Sequence, residues 1–196
     1  RTNLQSDAFL QSIHITKTFD GRRGLHDNVD WPQTGNYIGS EKEHPGETDG
    51  FVVKYHADKT LAWAIKIGTS NIDEISSLVV DDAGNTYVSG HVRDKFTQTT
   101  LYAFVRKLDL QGNQLWEQKG VLQGSGVLLS TALALGDDQA VYLGGSMNGT
   151  VAFGNITMTN DTTYSAFIIK YNPAGLILDS YVNPNLEKFN ELQVRE

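Results

Sequence analysis

The chain has 196 residues, 39% of them hydrophobic and 20% charged, with a formal net charge of −7 and no cysteine. Such a chain is long and apolar enough to bury a real core, and its acidic balance argues against a nucleic-acid or anionic-membrane partner. The missing cysteine excludes disulfides, thiol nucleophiles and thiolate metal sites.

The chain opens at Arg1 without a charged-then-apolar leader, as expected of a processed protein or of a piece of a longer one. No apolar run approaches membrane-spanning length, so membrane insertion is not expected. Residues 1–19 include DAFLQSIHITKTF, in which Ile13, Ile15 and Phe19 share one parity and read as a half-buried strand. Residues 20–48 are polar, mixed in charge and broken by Gly and Pro. A stretch of that length with little periodicity reads as a functional, disordered or partner-seated loop. Residues 1–48 are therefore read as a degenerate N-terminal repeat with a long irregular loop.

Residues 49–100 form the clearest unit: FVVKY, a turn at 56–59, TLAWAIKIG with Leu61, Trp63, Ile65 and Ile67 on one face, EISSLVV into an Asp81–Asn85 turn, then NTYVSG. Residues 101–163 repeat the order, with AFVRKLD, a turn at 110–113, QLWEQKG and LLSTALALGDDQAVYLGG, followed by an excursion, SMNGTVAFGNITMTNDTT. Residues 164–196 begin a third, incomplete copy: AFIIKY, the turn Asn172–Gly175, LILDSYV, and KFNELQV as the start of another strand. Phe51, Phe104 and Phe167 are equivalent at offsets of 53 and 63, as are Lys54, Lys107 and Lys170. Trp63 aligns with Trp116, and Asp179 stands in that place in the last copy. Tyr87 aligns with Tyr142 at an offset of 55.

Four short strands per unit, with no helical period, cannot bury both faces alone. Radial stacking of such sheets solves the problem and points to a β-propeller. The pattern [AG]-F-[VI]-x-K-[YL]-[HDN]-x-x-[GK]-x-x-x-W, then L-x-V-D-x-x-G-N-x-Y-V-x-G, resembles the bacterial SBBP family of β-propeller repeats over residues 49–196. The resemblance implies an all-β fold of four-stranded antiparallel blades in a partial or open propeller, with a closed four-bladed ring as the alternative. It implies a secreted or cell-surface location on a bacterial envelope and no assigned activity.

The candidate sites are few. The Asp81–Tyr87 stretch resembles the Asp-box hairpin of sialidase-type propellers and reads as a turn capped by its own carboxylate. Asp81, Asp82, Asp137 and Asp138 are the calcium candidates, although their spacing misses the usual ladder of oxygen ligands and no metal is expected. The five histidines form no zinc pattern and read as isolated surface groups, and no G-x-S-x-G elbow marks a serine nucleophile. The repeated lysines read as the wet side of a strand. Phe51, Trp63, Phe104, Trp116, Phe167, Tyr87 and Tyr142 read as repeat core. Trp31, Tyr37, Glu41 and Glu43, on the irregular loop, are the candidate contacts for a ligand or partner. Asn148, Asn155 and Asn160 begin N-x-T triplets that matter only in a glycosylating pathway. The expectation is a non-catalytic surface scaffold without cofactor, whose partner is a protein or the remaining blades of a larger chain. The alternative is a carbohydrate-binding or glycan-processing propeller.

Overall fold

Two-residue alternation between 50 and 183, punctuated by Asp, Asn and Gly turns, produces strands that all pair antiparallel. The computed structural model describes residues 49–56, 60–187, 192 and 194. Its strands are β1 (Gly50–Tyr55), β2 (Leu61–Ile67), β3 (Ile72–Val80), β4 (Thr86–Arg93), β5 (Thr100–Leu108), β6 (Gln114–Leu122), β7 (Val127–Leu135), β8 (Val141–Phe153), β9 (Ile156–Tyr171) and β10 (Ile177–Asn183). No helix occurs among the described residues, so the class is all-β. The degenerate repeat at 1–48 lies outside the described residues, as does KFNELQV apart from Leu192 and Val194.

Pairing follows chain order. β1–β2 is a hairpin by itself, β3–β4–β5–β6 is one four-stranded meander and β7–β8–β9–β10 a second. The turns share one device. Asp81 Oδ1 accepts from Asn85 N at 2.8 Å, Asp109 Oδ1 from Asn113 N at 2.8 Å, and Asn172 Oδ1 from Leu176 N at 2.9 Å. A short side chain at the first turn position thereby satisfies backbone donors that the ladder leaves free.

Both faces of the first meander are apolar, and each is covered. Val88, Val92, Phe104 and Leu108 pack with Val52, Ile67 and Trp63 of the hairpin. On the opposite face, Tyr87, Ala103 and Val105 join Leu128, Leu143, Met147, Phe167 and Ile169 of the second meander. The three units are thus stacked face to face, with a seam on each side of the middle one.

Residues 146–163 differ from the loop-like excursion expected from their Gly, Asn and Thr content. They extend β8 and β9 into one long hairpin, turning at Gly154-Asn155. The reason is a short alternation that composition hides: Val151, Phe153 and Met158 are buried. The extended β8 also pairs with the end of β6, Gly120–Leu122 against Val151–Phe153, and so stitches the meanders into one eight-stranded sheet.

Candidate functional site

Both seams are fastened by the same residues. Trp63 Nε1 donates to Leu110 O of the next unit at 2.9 Å, and Trp116 Nε1 donates to Pro173 O at 3.0 Å. Each indole lies on the glycine of the turn it grips. A Cβ on Gly112 would sit 3.0 Å from Trp63 Cδ2, and one on Gly175 would sit 2.8 Å from Trp116 Cδ2. Both glycines have φ of +85°, so the turn and the indole each select glycine. The lysines work alongside. Lys54 Nζ donates to Gly84 O at 3.0 Å, while Lys107 Nζ donates to Pro173 O at 3.3 Å and lies 3.5 Å from Asp81 Oδ2. Lys107 is only 8% exposed and its ammonium lies 4.8 Å from the centre of the Tyr87 ring. This corrects the wet-side reading for Lys107: the turn at Pro173 presents a carbonyl and the turn at Asp81 a carboxylate, which an ammonium can satisfy without water.

The outer face of the second meander is built from the equivalent residues but is less covered. Tyr87 and Val105 are fully buried in the seam. Their counterparts Tyr142 and Ile168 are only half-buried, and Asp179, in the tryptophan position, is exposed. Lys170 turns back to Asp138, 2.9 Å away. Ser146 Oγ donates to Glu187 O at 2.6 Å, and the Ala166 N–H donates to Leu186 O, so the chain after β10 runs along part of this face.

A polar cluster interrupts the apolar seam between the meanders. His91 Nε2 lies 2.7 Å from Glu74 Oε2, and Arg93 Nη2 donates to Glu74 Oε1 at 2.6 Å. Ser76 Oγ lies 3.5 Å from His91 Nδ1, and Ser130 Oγ of β7 donates to Ser76 Oγ at 3.3 Å. Glu74 and His91 face each other across the β3–β4 ladder, and Ser76 occupies a bulge between Ile75 and Ser77. The bulge re-aims its side chain toward the seam. Burial pushes the His91 imidazole below its ordinary range; the Glu74 carboxylate opposes this shift and the Arg93 guanidinium assists it. Two polar atoms here are buried without a partner, Ser89 Oγ on β4 and Arg93 Nε. Buried polar atoms left without a partner call for an explanation, and a perturbed titratable group beside them makes the cluster a candidate functional site.

The residues singled out from sequence fall as follows. Trp31, Tyr37, Glu41 and Glu43 lie outside the described residues. Phe104, Phe167 and Tyr87 are buried; Phe51, Trp63, Trp116 and Tyr142 are half-buried. Asp81 is buried and its oxygens are taken by Asn85, Tyr87 and Lys107, whereas Asp82, Asp137 and Asp138 are exposed. No three metal-ligating side chains converge among the described residues. Of the triplet asparagines, Asn155 is exposed, while Asn160 Nδ2 is engaged by Ser165 Oγ at 2.7 Å.

The Glu74–His91 cluster was not visible as a motif, and it corrects the reading of His91 as an isolated surface group. The available signal was a break in the repeat. At an offset of 55, Glu74, Ser76, His91 and Arg93 correspond to Leu129, Thr131, Ser146 and Asn148, so the scaffold itself does not require them. Comparison with protein-family models gives no match, and comparison with curated proteins gives none.

Proposed function

We propose that the chain is a run of SBBP-type β-propeller blades in a bacterial secreted or surface protein, serving as a scaffold that engages a protein partner or further blades. One observation carries this reading: equivalent residues are buried at the inner seam and half-buried on the outer face of β7–β10. A face built to the same plan as a buried one, yet left partly open, is a face meant to be covered. The meander order supports the blade reading, with β3 and β7 as inner strands and β6 and β10 as outer ones.

Hydroxyl-radical footprinting tests it. Tyr142, Tyr164 and Ile168 should react in the isolated chain and become protected in the protein purified from its native source, while Tyr87 stays protected in both. Equal reactivity of the outer-face residues in the two preparations would overturn the proposal.

A further inference from the structure

The seam cluster joins a hydroxyl, an imidazole and a carboxylate in series. Glu74 Oε2, 2.7 Å from His91 Nε2, takes the hydrogen bond of that ring nitrogen, which leaves Nδ1 with its lone pair toward Ser76 Oγ. Arg93 and Glu74 hold each other, fixing the carboxylate that orients the ring. The 3.5 Å between Ser76 Oγ and His91 Nδ1 is long for a hydrogen bond, and such relays tighten when substrate binds. Ser130 approaches Ser76 from the facing unit. The buried Arg93 Nε–H has no acceptor, so the cluster holds a donor to spare. None of the four relay and clamp residues recurs at the equivalent place in the next unit.

We propose that Ser76, His91 and Glu74 form a nucleophile–base–orienter relay that hydrolyses small carboxylic esters. Ser76 Oγ bonds to the ester carbonyl carbon as its proton passes to His91 Nδ1. The C–O bond to the alcohol then breaks, and His91 returns the proton to the departing oxygen. Water next attacks the acyl-serine, giving its proton to His91. Expulsion of Ser76 Oγ releases the carboxylic acid, and the proton returns to the serine. The net reaction consumes one water per ester. The acyl group is short because Ser76 is half-buried between facing sheets. Glu74 acts through His91 and is a positioning residue. The charged groups facing the imidazole are Glu74 from β3 and Arg93 from β4, and β7 brings the hydroxyl of Ser130.

The experiment uses the purified chain with p-nitrophenyl acetate as substrate and a fluorophosphonate as covalent probe. The expected result is one adduct, mapped to the peptide carrying Ser76. Ester hydrolysis should fall by at least about a hundred-fold in Ser76→Ala and in His91→Gln, with thermal melting confirming that both are folded. Hydrolysis should rise with pH as His91 loses its proton, with a midpoint below 6.5. Glu74→Gln should lower that midpoint further, because it removes the charge that favours the protonated ring; a midpoint left in place would show that hydrolysis does not run through His91 and would overturn the relay. No adduct at Ser76, or equal hydrolysis by the wild type and a folded Ser76→Ala, would overturn the proposal.

Discussion

Asp81 shows how much one side chain in a turn can hold. It caps Asn85, accepts from the Tyr87 hydroxyl at 3.2 Å and faces the Lys107 ammonium. Burial alone would raise its carboxyl, but the Asn85 hydrogen bonds, Lys107 and Tyr87 outweigh burial and hold it below the usual range. Asp81→Ala leaves a buried phenol without its acceptor and a buried ammonium without its counter-charge, and it should cost about 2–4 kcal/mol in denaturant unfolding. Because the folded value is depressed, the charge contributes stability above the unfolded value of 3.8 and loses it as pH falls through the lower folded value. The stability gap between wild type and Asp81→Asn should therefore narrow as the pH drops below about 3.8. Asp81 as a turn-capping carboxylate was legible from D-x-x-G-N spacing alone, because the interaction is local. The His91 cluster was not. Its members become neighbours only through the β3–β4 register, the bulge at Ser76 and a strand some fifty residues further on.

Among the elements, the β8–β9 hairpin decides how the units connect. Gly120 of β6 lies against the Phe153 ring where the two meanders meet, and a Cβ at that position would overlap the ring. Gly120→Ala should destabilise by about 1–3 kcal/mol, and Phe153→Leu in the same chain should restore part of that loss in a double-mutant cycle. Purely additive costs would show that the close approach does not matter. Strands such as FVVKY, NTYVSG and AFIIKY were readable because their alternation is long and ends in Asp, Asn and Gly turns. The extension of β8 and β9 was not, because Gly149, Gly154 and several asparagines give it the composition of a loop. Only its placement against β6 shows that Val151, Phe153 and Met158 face a core.

At the scale of the whole molecule, stability is distributed along a stack. The β1–β2 hairpin shares no ladder with the eight-stranded sheet and is held by packing of Val52, Trp63 and Ile67 and by the contacts of Lys54 and Trp63. A two-stranded hairpin is marginal by itself. Native-state hydrogen exchange should show the amides of β1 and β2 opening at lower free energy than those of Val88, Val105 and Leu143. Equal opening energies would mean that the described units unfold as a single block.

The grip of each tryptophan on the next unit's turn has a consequence for symmetry. A junction made from an indole on one side and a glycine turn on the other joins unlike surfaces. A two-fold axis sets like against like, so it cannot reproduce this contact. Any extension that reuses the tryptophan-to-turn contact must add units in a single sense of rotation, ending either in a closed circle or in an open spiral. Asp179, standing where the next tryptophan would be, ends that series of identical joints at the second meander and requires whatever lies beyond it to meet a carboxylate instead.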